Sequence, residues 1–180
     1  MRHNKKGFSY VELIIVMAML AALMGISSVS FVSAWRARAS QAVNTAAAVM
    51  SQSKVNALSG EDNYMQIAYY EKDGNGHDKD GFYAELFKKD YGESDYSATP
   101  QKSQFLCNSR VNISLDGNEL DEDNCIRLRF KMNDGSVDYL EMTGVTEESD
   151  FDSVPEGNID IYFNQLDLKL YKITGEHEIS

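Results

Sequence analysis

The chain has 180 residues with 28 acidic against 17 basic side chains, a formal net charge of −11. Residues 61–180 hold 27 acids and 11 bases, a net of −16 by subtraction, so this portion repels nucleic-acid backbones and anionic lipid. About 146 residues follow the N-terminal apolar stretch, enough for one domain with its own core.

The first element is the order of residues at the N-terminus. Arg2, Lys5 and Lys6 precede Gly7-Phe8-Ser9-Tyr10-Val11-Glu12, and no charge then occurs from Leu13 to Ala34. Those 22 residues span roughly 33 Å as a helix, against roughly 30 Å for a hydrocarbon core. The expectation is a transmembrane segment. Glu12 stands at its start, where a carboxylate costs up to about 3 kcal/mol by insertion scales, less near an interface. Cleavage after Gly7 would leave an α-amine on Phe8, about one helical turn from Glu12, able to pair with it between neighbouring subunits. The alternative is a solvated Glu12 at the interface, without function.

Gly7-Phe8-Ser9-Tyr10-Val11-Glu12 after a basic leader, running into Leu13-Ile14-Ile15-Val16-Met17-Ala18-Met19-Leu20, resembles the signal of type IV prepilins and pseudopilins. The resemblance covers residues 1 to about 59. It implies cleavage between Gly7 and Phe8 by a prepilin peptidase, N-methylation of Phe8, and a charge-pairing role for Glu12 in assembly. It also implies like subunits, an assembly platform with its ATPase, and membrane lipid before assembly as partners. Localisation would be a single-pass inner-membrane precursor, then a surface pilus or secretion pseudopilus. The chain departs at Val29, where many members place Pro, and at Ala21, where many have Gly. The rival is a secretory signal cut after Val32-Ser33-Ala34. Against it stand Glu12 inside the apolar region and a run longer than the usual 7–15 residues. Arg36, Arg38 and Lys54 balance the leader's three bases, so charge does not orient the segment.

Residues 1–7 are thus read as leader, 8–34 as the transmembrane or filament-core half of a helix, 35–60 as its amphipathic half, and 61–180 as an acidic head. Trp35 suits an interface. Ala39, Val43, Ala46, Ala47 and Met50 make a helical stripe, and Ser59-Gly60 a stop. The prediction is one helix from Phe8 to Ser59.

Tyr64–Tyr70 reads as a strand or a helical extension. Residues 73–81 form a turn-dense loop holding His77, and Phe82–Lys89 a short helix. From Arg110 the period becomes two: Val111/Ile113/Leu115, then Ile126/Leu128/Phe130/Met132. Asn133-Asp134-Gly135 is a turn signal before a strand at Ser136–Met142. Ile159/Ile161/Phe163 and Leu166/Leu168/Leu170 complete four or five strands. The predicted class is α+β: a long N-terminal helix laid on a 4–5-stranded antiparallel sheet, which is also the fold the pilin resemblance implies.

Cys107 and Cys125 would close the Asp116–Asn124 loop if bonded, worth about 3 kcal/mol in the chain-entropy model. Two free buried thiols are the alternative. The acidic runs at 73–80 and 116–123 invite calcium, but neither matches an EF-hand pattern, and solvated loops are the better reading. His3, His77 and His177 fall in no catalytic motif. No enzyme, cofactor or metal is expected. The expected function is a structural subunit of a type IV pilus or pilus-like secretion filament. A minor pilin or secretion pseudopilin is the near alternative, and a secreted binding protein starting at Trp35 the distant one.

Overall fold

The computed structural model describes residues 10–73, 76–93, 95–144, 159–164, 166–171 and 174–179, with side-chain surroundings described for these apart from 23–35. The chain divides into two compact units, Met1–Ala37 and Arg38–Ser180.

Helix α1 is assigned over Tyr10–Leu58. Among the described residues ten strands follow: β1 Asn63–Tyr70, β2 Gly81–Lys88, β3 Lys102–Cys107, β4 Ile113–Leu115, β5 Asn118–Glu119, β6 Asn124–Phe130, β7 Val137–Gly144, β8 Ile159–Phe163, β9 Leu166–Tyr171 and β10 Glu176–Ile179. They build two five-stranded antiparallel sheets, ordered β3-β2-β1-β6-β7 and β10-β9-β8-β4-β5.

This corrects the predicted α+β class. The helical residues with described surroundings form two short stretches, 10–22 in the first unit and 36–58, of which all but Arg36 and Ala37 belong to the second. A single long rod over one sheet is therefore not the architecture. Strand dominates, in two sheets rather than one. The predicted helix at Phe82–Lys89 is strand β2. Seven of its eight residues are buried, so the alternation that marks a half-exposed strand is absent. Strands β3, β5 and β10 carry too little apolar alternation to be read from the sequence.

The transmembrane expectation is corrected as well. Among the described residues no helix is long and apolar enough to cross a membrane. The described part of the apolar run, 10–22, rises only about 20 Å. Residues 23–35 lie outside the described surroundings. The single-pass inner-membrane localisation falls with the span.

Within the second unit, Ala39, Ala42, Val43, Ala46, Val49, Met50 and Ala57 are buried at spacings of three and four. Most side chains on this face are small. Met65 and Ile67 of β1, Ala84 of β2, and Ile126, Leu128 and Phe130 of β6 share its core, as do Ile113, Ile161, Phe163 and Leu168 of the second sheet. One apolar layer thus serves both sheets. Ser53, buried on the same helix, donates a 2.6 Å hydrogen bond to the Asn63 side chain at the start of β1.

The sheets also meet through their turns. Gly175, at φ 62° in the β9–β10 turn, lies against the Gly135 carbonyl and the Phe130 ring, leaving no room for a Cβ. Lys54 Nζ donates to the Thr174 carbonyl at 2.7 Å beside it. Gly175→Ala adds both left-handed strain and a clash with backbone. It is expected to cost roughly 2–3 kcal/mol, read as a lowered midpoint in denaturant unfolding; an unchanged midpoint would contradict this packing.

Candidate functional site

Of the residues expected to act in processing and assembly, Gly7 and Phe8 lie outside the described residues. Glu12 sits in the first turn of α1, where a carboxylate complements the positive end of the helix dipole. It is exposed, among exposed apolar neighbours. Tyr10 is 77% exposed, Leu13 and Ile14 each 53%, Met17 63% and Met19 62%. These residues point in all directions around a helix, so the stretch is apolar on every side rather than amphipathic.

The two cysteines are free and buried, and the proposed pairing is corrected. Cys107 lies opposite Phe82, Phe82 opposite Tyr69, and Cys125 opposite Ala68. Strands β2 and β1 therefore separate the two thiols, about 14 Å at three strand spacings. A disulfide needs Cα atoms within roughly 7 Å. They also face opposite ways: Cys107 joins the apolar core, while Cys125 lies on the far face beside Thr143. The near-even spacing in sequence gave no hint of the strand order that separates them. Burial pushes the Cys107 thiol up to about 12 and raises that of Cys125 as well.

The face of the first sheet turned away from the helix holds a group of polar side chains that the sequence did not single out. Register puts Ser103, Glu85, Gln66, Arg127 and Glu141 in one rank across all five strands. Glu85, Gln66 and Arg127 are 1%, 4% and 8% exposed, burial that charged groups tolerate only when hydrogen-bonded. They are bonded in a chain. Arg127 Nε donates to Gln66 Oε1 at 3.0 Å, and Gln66 Nε2 donates to the Tyr70 hydroxyl at 3.0 Å. Tyr70 in turn donates to the Glu85 carboxylate. Burial first, and then Glu85, drives the Tyr70 phenol far above its ordinary value.

His77, read from the sequence as a flexible-loop residue, closes this chain. Its Nε2 lies 3.0 Å from Glu85 Oε1 and its Nδ1 3.2 Å from Asp73 Oδ2. The ring stacks on Tyr70 at 4.1 Å between centroids and meets Tyr83 edge-on at 4.6 Å. Residues 79 and 80 are tied down beside it: Asp80 accepts from the Lys72 amide at 2.8 Å, and Tyr83 Oη donates to the Lys79 carbonyl at 2.8 Å. Asp73 and Asp80 are thus engaged as acceptors within the loop, and no metal-holding group of three or more His, Cys, Asp or Glu occurs among the described residues. The one signal available in the sequence was Glu85 inside an otherwise apolar run.

A cleft of about 360 Å³ opens elsewhere, between the start of β1 and the β6–β7 turn, lined by Asp62, Arg129, Lys131, Met132 and Asp138 among others. Three of its charged side chains are engaged: Arg129 bridges to Asp138 at 2.6 Å, and Tyr96 donates to Asp62 at 2.7 Å. No family model, no curated protein and no solved structure matches the chain.

With both thiols buried and protonated, alkylating reagents should modify neither Cys107 nor Cys125 in the folded protein and both after denaturation, without prior reduction. A mass increase of two hydrogens on reduction would show a disulfide and refute the separation described here.

Proposed function

We propose that this chain is the structural subunit of a type IV pilus or pilus-like secretion filament, cut after Gly7 and assembled through its N-terminal helical segment. The observation that carries the reading is the exposed apolar stretch 10–22 with one acid in its first turn. Monomeric proteins rarely leave so large a contiguous apolar surface in water. Burial against the same segment of neighbouring copies removes it, at about 25 cal/mol per Å² covered. The acidic head then carries like charge on every copy and stays solvated.

Glu12 supplies what apolar contact lacks. Apolar burial is non-directional, so identical greasy rods slide past each other without a preferred register. A carboxylate in a low-dielectric surrounding has one low-energy position, beside a cation. The Phe8 amine freed by cleavage, methylated or not, is such a cation. Prepilin peptidase and an assembly platform with its ATPase are the partners this reading requires. The sequence order Gly7-Phe8, with Glu12 five places after Gly7, supports it. A minor pilin or pseudopilin would use the same contacts at lower abundance.

Glu12→Ala should leave the protein expressed and cut after Gly7 while filament yield falls at least about tenfold, the change expected from about 1.4 kcal/mol per contact. Sheared filaments quantified by immunoblot, with mass spectrometry of the mature N-terminus, read both. A terminus at Phe8 fits the filament subunit; one at Trp35 identifies a secreted binding protein and overturns the proposal.

A further inference from the structure

We propose that the heads of this protein stack end to end, the turn carrying Lys131 and Met132 in one copy seating against the acidic end of the next copy, around Glu122. Both surfaces belong to the second unit, so the contact does not depend on how the N-terminus is processed.

The two surfaces lie at opposite ends of the first sheet. At one end β1 finishes at Tyr70, β2 begins at Gly81 and β6 begins at Asn124. Residues 71–73 and 78–80 flank the first two of these strand ends, and 121–123 lead into β6. Together they hold seven acids against two bases, Lys72 and Lys79. Their charges converge: after burial, it is Asp80, Glu122 and Glu71 that raise the pKa of the Tyr69 phenol. Asp80 and Asp121 are engaged by backbone amides, whereas Glu71, Glu122 and Asp123 form no ion pair among the described residues.

At the other end β6 finishes at Phe130 and turns through 131–136 into β7, closed by the Lys131 amide donating to the Ser136 carbonyl. Helix α1 ends here as well, with the Lys54 and Leu58 side chains beside Gly135. Val55, Leu58 and Met132 are each about half exposed. Four acids at this end are occupied: Glu61 by Lys88, Asp138 by Arg129, Asp62 by the Tyr96 hydroxyl, and Asp134 by Ser136. Asp90 and Glu93 follow β2, two strands over from β6. Lys131 is exposed and forms no ion pair among the described residues. It leaves a cation beside apolar surface.

That pattern selects a second copy as the occupant. Residues 61–180 carry a net −16, so two copies meet with least repulsion where a base on one faces acids on the other. Like ends brought together set acid against acid, or leave Lys131 without a partner. Unlike ends make a heterologous contact, which leaves one surface free at each outer end and so repeats along an open line. Covering Val55, Leu58 and Met132 adds apolar burial. Phe105, exposed beside Gly81 at the acidic end, offers an apolar counterpart.

No single chain can imitate the contact. The six residue steps of β6 hold its two ends about 20 Å apart, beyond the reach of a lysine and a carboxylate joined directly.

A zero-length cross-linker tests this. Full-length protein, half of it isotope-labelled, is mixed in mild detergent and treated with a carbodiimide. The reagent joins ammonium to carboxylate as an amide, takes up the water lost and leaves as its urea. Peptide mass spectrometry should find Lys131 bonded to Glu122 or Asp123 in pairs of one labelled and one unlabelled peptide. The yield should fall at least about fivefold in roughly 1 M salt, where the Debye length is about 3 Å. Lys131→Glu should lose the link, and Lys131→Glu combined with Glu122→Lys should regain it between the same two positions. No mixed-isotope link at these positions, a yield indifferent to salt, or a double variant that stays unlinked overturns the proposal. A linked protein whose mature terminus is Trp35 keeps the contact between heads and removes only the filament reading.

Discussion

Burial of one helix face in a core shared with two sheets is the contact on which the head of this protein depends. Ala39, Ala42, Ala46, Ala47 and Ala57 keep that face flat, and Val43, Val49 and Met50 fill the spaces left between strands. Larger side chains along it would crowd the core it shares with Ile67, Ile126, Phe163 and Leu168, since tightly packed interiors leave little room for added volume. A single apolar layer therefore draws on eight of the ten strands described, β5 and β10 contributing no buried residue. Everything polar is driven to the outer faces or to the ends.

One outer face did not become a water-exposed surface. In the first sheet it holds Glu85, Gln66 and Arg127 in register, all nearly buried. Charges in such a place are costly unless every one is paired, and a chain running from Arg127 to His77 meets that condition. Such a network stabilises little relative to an apolar replacement, but it ties His77 to the outer face of the first sheet through Glu85.

The apolar stretch at the other end of the chain obeys a different constraint. Residues 10–22 are helical with exposed side chains, and Glu12 in the first turn is the one charge along them.

Periodicity and residue order by themselves determined the apolar run with Glu12 at its start, the small-residue helical face from Ala39 to Met50, and the strands at 126–130, 137–142, 159–163 and 166–170. Each is a local pattern, set by residues within one or two turns or along one strand, so it can be read without knowing the fold. Tertiary structure alone decided the rest. That the strands form two sheets, that 81–88 is strand and not helix, that Cys107 and Cys125 stand on opposite faces, and that His77 meets Glu85 all follow from strand order. Strand order is fixed by contacts between residues distant in the chain, and a pattern of period two or 3.6 says which face a residue occupies but never which strand lies beside it.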